Sequence, residues 1–529
     1  MNKQTFIQGT MILLAAGIIN RILGFIPRIL LPRVIGPEGV GLYQLGYPFF
    51  LVIVTLISGG IPLAVAKLVA EAESSGHPER SKSILRTSLI FSASAGMLFT
   101  VLCIVLAPWV TRNLLTDARV YETFIAMSPM IAIVAISSVY RGYFQGKQDM
   151  IPSAVSSILE TIARIIGVLW FSYLLLPKGI EYAAAGAMLG VVAGEIAGLA
   201  VLLWQYKRLR RKEHTAGTAV PEADNGHPMP SVKEPFMHGL KRLMRIAIPV
   251  TGGRLVGSLS YLLESIVTAR SLLIAGIATG VATSQYGALQ GMIIPLLMLP
   301  GALTSSLAVS LVPSLAEAQA RGDSKTIQLR LHQSIRLALV TGAPFAAIMY
   351  VLAEPLCLFI YDNAEIAGML KTMAPFALFL YAQAPLQATL QALDQAGKAL
   401  MNTLVGAVVK ITLIFYLASN PSFGIYGAVI AIIINIIIVT LLHGHSVRRL
   451  LKYSLPFADL LKVCTAMIIM AGAATLLYNE LSLIGGPAVQ LLASSVLSGL
   501  IYIILCAVMG MFDLQDLRRI PILRRWFRA

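Results

Sequence analysis

Residues 68–76 read LVAEAESSG, and residues 314–322 read SLAEAQARG. The offset between them is 246, which sets Glu71 on Glu317 and Gly76 on Gly322. The same offset sets Gln145 on Gln391 and Arg164 on Lys410. One constant shift across separated stretches marks an internal duplication. Each copy follows the second of a series of long apolar runs. A unit of six such runs therefore repeats, and an even number places both copies in the membrane with the same orientation.

The runs themselves set the class. Hydrophobic residues make up 57% of the chain and charged residues 12%, and the mean hydropathy is +0.79. A soluble globule would carry about twice that charge fraction. A helix crosses a bilayer in roughly 20 apolar residues, and the chain offers about fourteen such stretches. The first run, near Phe6, is too long and too closely followed by the next to be a removable signal peptide. The expected fold is all-α and polytopic, with about fourteen transmembrane helices. Two parallel-repeat six-helix lobes, 1–206 and 244–447, flank a polar cytoplasmic linker at 207–243. A further helix pair follows at 448–511, and a cytoplasmic amphipathic tail at 512–529.

The formal net charge of +16 is explained by topology, not by nucleic acid. With the N-terminus inside, inner loops and tails hold roughly 29 Lys and Arg against about 4 outside. Both termini are thus expected in the cytoplasm. No RNP, zinc-finger or helix-turn-helix pattern is present. The tail interleaves Leu514, Leu517, Ile520, Leu523 and Phe527 with Arg518, Arg519, Arg524, Arg525 and Arg528, a pattern that suits anionic membrane lipid.

No catalytic constellation emerges: there is no GxxxxGK[ST], GxSxG or HExxH. Cys103, Cys357, Cys464 and Cys506 sit in apolar runs without ligand spacing, so neither disulfides nor a metal site is expected. His443 and His445 stand at a span end and read as interfacial. No cofactor is implied.

Ionisable residues at membrane depth cost several kcal/mol unless they face a cavity or a partner, so they are the functional leads. Arg21 and Arg28 lie seven residues apart, roughly 10 Å along one helical face. They either line a cavity or are neutralised elsewhere, with Arg28 able to snorkel. Glu160 and Arg164 can pair along one face, as a structural pair or as a gate that exchanges partners. Arg254 and Glu264 share one half of the seventh span, and Arg270 lies nearer its outer end. Lys410 stands where the repeat places Arg164, and Glu195 has no evident partner. The surplus is cationic, which suits a phosphate-bearing anion, because guanidinium engages two oxygens at once.

The stretch Asn20-Arg21-Ile22-Leu23-Gly24-Phe25-Ile26-Pro27-Arg28 continues to Val34-Ile35-Gly36-Pro37-Glu38-Gly39-Val40-Gly41. It resembles the opening of polysaccharide exporters in the multidrug/oligosaccharidyl-lipid/polysaccharide superfamily. Tyr43-Gln44-Leu45, Ser58-Gly59-Gly60-Ile61-Pro62, Tyr140-Arg141-Gly142-Tyr143-Phe144-Gln145-Gly146 and Pro295-Leu296-Leu297-Met298-Leu299-Pro300 extend the likeness over the chain. It is most similar to the sporulation branch, a relative of the lipid II flippases. The resemblance implies flipping of an undecaprenyl-diphosphate-linked saccharide by alternating access, in spore cortex formation. It implies cavity arginines that hold the diphosphate, with Arg21 on the first of them and Arg28 one position late. Ile29 stands where the flippases have an acid, and their arginines near Val52-Ile53 and Leu289-Gln290 are missing. A drug or cation antiporter of the same superfamily is the rival expectation. Another is a non-transporting scaffold that recruits cell-wall synthases.

Overall fold

A backbone inside a bilayer must satisfy its own hydrogen bonds, and the apolar runs do so as helices. The computed structural model describes residues 6–217, 236–452, 457–481 and 486–511, and every regular element among them is helical. The expected tail at 512–529 lies outside the described residues. Large apolar side chains such as Val105, Ile166, Trp170, Ile468 and Val508 point outward, whereas Ser156, Glu160, Glu195 and Glu264 are buried. That is the inverse of a water-soluble globule, and it fits helices whose solvent is lipid.

Contacts divide the chain into two compact units, Met1–Gly291 and Met292–Ala529. The first holds α1 (Phe6–Leu23), α2 (Phe25–Ser58), α3 (Ile61–Ser74), α4 (Pro78–Trp109), α5 (Val120–Met127) and α6 (Met130–Gly146). It also holds α7 (Ile151–Leu175), α8 (Ile180–Gly217), α9 (Phe236–Ile274) and α10 (Thr279–Gly287). The second holds α11 (Ile294–Met298), α12 (Gly301–Ala320), α13 (Ser324–Val351), α14 (Ala353–Tyr361) and α15 (Ala367–Met373). Then come α16 (Ala377–Ala392), α17 (Ala396–Ala418), α18 (Ile425–Leu451), α19 (Phe457–Glu480) and α20 (Pro487–Val508). The division falls at Gly291, not at the polar linker, because α9 packs on α2, α3 and α4.

Eleven helices among the described residues are long and apolar enough to cross a membrane, against about fourteen expected. Part of the difference is counting: Met11–Ser74 runs through two expected spans in one stretch. Proline supplies the rest. Pro27, which cannot donate to the Leu23 carbonyl, ends α1 at Leu23 without changing that count. The eighth expected span is divided into α10, a π turn at Ala288–Ile293, α11 and α12, with Pro295 and Pro300 at the joints. The tenth is interrupted at Ala374–Phe376, where Pro375 removes a donor. The linker expected at 207–243 is helical at both ends, because Lys207–Glu213 is rich in helix formers and Leu209 is buried. Its middle, 218–235, lies outside the described residues.

The duplication is visible in backbone detail. After α3, Gly76 (φ 73°) donates to the Glu73 carbonyl and His77 to the Ala72 carbonyl. After α12, Gly322 (φ 69°) donates to Gln319 and Asp323 to Ala318, each 246 residues on. These are Schellman caps, which need a left-handed residue at the helix end. A second matched pair closes α6 and α16, with Gln148 at φ 58° and Asp394 at φ 57°. Both glycines face open space, so only their φ resists a side chain. Gly76→Ala and Gly322→Ala are therefore expected to cost about 1 kcal/mol each, and Gln148→Gly and Asp394→Gly to have the opposite sign. Thermal unfolding of the purified protein reads both. Unequal effects at matched positions would contradict the structural equivalence.

Candidate substrate-binding site

Three glycines on α8 build the site's most charged corner. A Cβ at Gly190 would lie 2.1 Å from the Val168 nitrogen, and one at Gly194 would lie 2.7 Å from Arg164 Cβ. With Gly198 they form a small-residue seam that lets α7 and α8 touch backbone to backbone. The seam brings Glu195 to Arg164, whose Nη2 donates to Glu195 Oε1 at 3.1 Å. The same nitrogen donates to Glu160, which also accepts from Arg141 of α6. Glu160 and Glu195 are buried. The intrahelical Glu160–Arg164 pair is thus present, as one edge of a four-residue network. Arg141 was not anticipated as a member, and Glu195 is not the unpaired acid that the sequence suggested. Lys410 is half-buried on α17 of the second unit and is no part of this network.

Next to the network, α2 presents Tyr43 and Tyr47, four residues apart, with rings stacked at 6.1 Å and 8°. Tyr261 of α9 donates to Gln44 Oε1 at 3.3 Å. Arg28 is exposed, lies 5.8 Å from the Phe25 ring, and is close enough for its charge to act on the Tyr43 and Tyr261 hydroxyls. Arg164 acts in the same way on Tyr43 and Tyr47. These side chains therefore share one environment within the first unit. Glu264, also buried, accepts from Gln290 at 2.8 Å. Gln290 sits on the π turn, a distortion common at functional sites. The missing eighth-span arginine is thus replaced by a neutral donor to an acid.

Arg254 is exposed and donates to the Gly59 carbonyl at 2.7 Å, where the α2–α3 junction breaks the helical ladder. Gly252, Gly253 and Gly257 beside it all face open space. Among the described residues, neither Arg28 nor Arg254 meets a carboxylate. Arg270, by contrast, donates to the Asn113 carbonyl at 2.5 Å. It lies sixteen residues from Arg254, roughly 24 Å along α9, so the two do not share one small anion. Arg21 is exposed on α1, and the break at Gly24 interrupts the single helix that would have stacked it with Arg28. Asn20 donates to Ser157 at 2.6 Å and fixes that end of α1 on α7.

Outside the spans, Arg119 grips Asp117 through two nitrogens, at 3.1 and 2.8 Å, and reaches Glu38 at 2.7 Å. Thr283 donates to Asp117 at 2.9 Å. Burial alone would raise the Asp117 pKa, but the hydrogen bonds from Arg119 and Thr283 outweigh it and hold the carboxyl below its usual range. At the other end of these helices, Lys147 donates to Glu213 at 2.7 Å and lies 3.5 Å from Glu73. Burial disfavours its charge, yet the hydrogen bond to Glu213 prevails and raises its pKa. No group of His, Cys, Asp and Glu suited to a metal occurs among the described residues.

A family model described as polysaccharide biosynthesis protein matches residues 6–319. Stage V sporulation protein B of Bacillus subtilis (strain 168) is 42% identical over 528 residues, 99% of either chain. The lipid II flippase MurJ of the same organism is 26% identical over 425 residues, covering 77% of this chain and 76% of that one. The solved structure of a lipid II flippase MurJ in an inward closed conformation superimposes with a TM-score of 0.68. It does so at 17% identity over 96% of this chain and all of that one, a likeness of fold. This multi-pass membrane protein belongs to the polysaccharide biosynthesis protein family, in the polysaccharide-transporter branch of the multidrug/oligosaccharidyl-lipid/polysaccharide superfamily.

Proposed function

We propose that the protein flips an undecaprenyl-diphosphate-linked saccharide across the cytoplasmic membrane by alternating access, and that it serves spore cortex formation. One observation carries the reading: Arg28 and Arg254 are two exposed guanidinium groups in a membrane protein, with no carboxylate partner among the described residues. Holding unpaired cations at membrane depth is costly unless an anion visits them. A diphosphate suits guanidinium, which meets two oxygens in one plane. The bare glycines beside Arg254 leave room for such a group. The names of the relatives, a stage V sporulation protein and a lipid II flippase, support the substrate class and the setting.

In this reading Glu160, Arg164 and Glu264 re-pair as the protein changes state, with Lys410 in the equivalent position of the second repeat. Both termini face the cytoplasm. The basic extension of α8, where Arg208 lies 5.8 Å from the Trp204 ring, meets anionic lipid, and cell-wall synthases are the expected protein partners.

Purified protein in liposomes tests the reading. Protein-containing vesicles should move a lipid-linked disaccharide between leaflets faster than protein-free vesicles. Equal rates with correctly inserted protein would overturn it.

A further inference from the structure

The arginines explain how a diphosphate is held, but every polyprenyl diphosphate offers them the same group. Selection of the glycosylated carrier requires neutral donors and acceptors placed next to the anion. From the geometry of α2 and α9 we infer that Tyr43, Gln44, Tyr47 and Tyr261 form a saccharide-reading face beside Arg28, backed by the buried Glu264–Gln290 pair. This rests on the reading that a lipid-linked saccharide is the substrate, and it assigns the part of the site that distinguishes a sugar-bearing lipid from a bare one.

The chemistry of the face is that of a hydroxyl and amide reader. Phenols and carboxamides both donate and accept, as sugar hydroxyl and N-acyl groups do. All four side chains are partly exposed, so they remain within reach of a ligand. Tyr261 donates to Gln44 Oε1, which fixes the amide with its NH2 presented. Neither that NH2 nor the Tyr43 and Tyr47 hydroxyls donate to protein groups among the described residues. The stacked Tyr43 and Tyr47 rings add a flat apolar surface of the kind that receives the C–H face of a pyranose. Behind them, Glu264 and Gln290 are both more than nine-tenths buried and bonded to each other at 2.8 Å. Their bond holds α9 against the π turn. Gly291, next in the chain, lets the π turn pack against α2: a Cβ there would lie 2.1 Å from Val40 Cγ1. Arg28 precedes Tyr43, Gln44 and Tyr47 on α2, across the kink at Gly36 (φ 65°, ψ 176°), and its charge reaches Tyr43 and Tyr261.

The test uses full-length protein in nanodiscs and two probes, undecaprenyl diphosphate and the same carrier bearing an N-acetylated disaccharide. Native mass spectrometry gives their relative affinities. The wild type should prefer the glycosylated probe by about tenfold or more, the scale of a hydrogen-bonding site that recognises hydroxyl groups. Gln44→Leu and the milder Tyr261→Phe should each cut that preference to about threefold or less while leaving affinity for the bare carrier unchanged. Retained preference in both variants would overturn the inference, as would an equal loss toward both probes, which marks a purely structural role. A wild type that binds neither probe overturns the flippase reading and this inference together. One that binds both without preference overturns only the inference.

Discussion

Arg164→Met is expected to destabilise the first unit severely. Its Nη2 alone serves both Glu160 and Glu195, whose side chains are only 9% and 11% exposed. Removing one partner from a buried ion network leaves the other charge uncompensated, at a cost of about 3–5 kcal/mol. Here a single change takes from Glu195 the cation that donates to it and leaves Glu160 with Arg141 alone. The glycine seam worsens this, because α7 and α8 touch too closely to admit a rearranged side chain.

The sign reverses when charge is removed evenly. Glu195→Gln placed in the Arg164→Met background removes one charge of each sign and keeps the Glu160–Arg141 pair, so it should restore most of the loss. Thermal unfolding in detergent gives the comparison. Arg164→Met melting together with the wild type would show that the network carries no stability. Transport separates a structural pair from a gate. If the pairs exchange during the cycle, this double variant folds but does not flip.

The parts legible in the sequence depend on period and repetition. Apolar runs announced the helices, and the shift of 246 matched Gly76 with Gly322, which the structure shows as equivalent helix caps. What the sequence concealed depends on contacts between distant residues. Arg141 lies in a run of aromatics and gives no sign that it reaches Glu160 nineteen residues away. Glu195 looked unpaired because its partner is on another helix, although the i, i+4 spacing of Gly190, Gly194 and Gly198 could have indicated a close neighbour. The linker was read from composition, which cannot distinguish a charged helix extension from a coil. Arg28 and Arg254 were both singled out by charge in an apolar setting, and that signal needs no knowledge of partners. Arg270 gave the same signal, but its place near the far end of α9 separates it from them.

Arg28→Ala and Arg254→Ala are each expected to slow flipping and weaken diphosphate binding by about ten- to a hundredfold, from the roughly 1.5–3 kcal/mol of one charged hydrogen-bond partner. The double variant should fall to the rate of protein-free vesicles. Neither arginine neutralises a buried acid among the described residues, so both variants should melt close to the wild type. That separates this prediction from the one for Arg164. Arg254 needs a further control, since it also donates to the Gly59 carbonyl at the α2–α3 junction. Arg254→Gln keeps a donor for that carbonyl but no charge. It should restore any lost stability without restoring transport, whereas Arg254→Lys should recover part of the transport. Arg270→Ala should retain most of the activity, because its nitrogen is committed to the Asn113 carbonyl roughly 24 Å along the helix. Full transport by the Arg28/Arg254 double variant would remove the diphosphate from this site, and with it the reason for two exposed cations in an apolar chain.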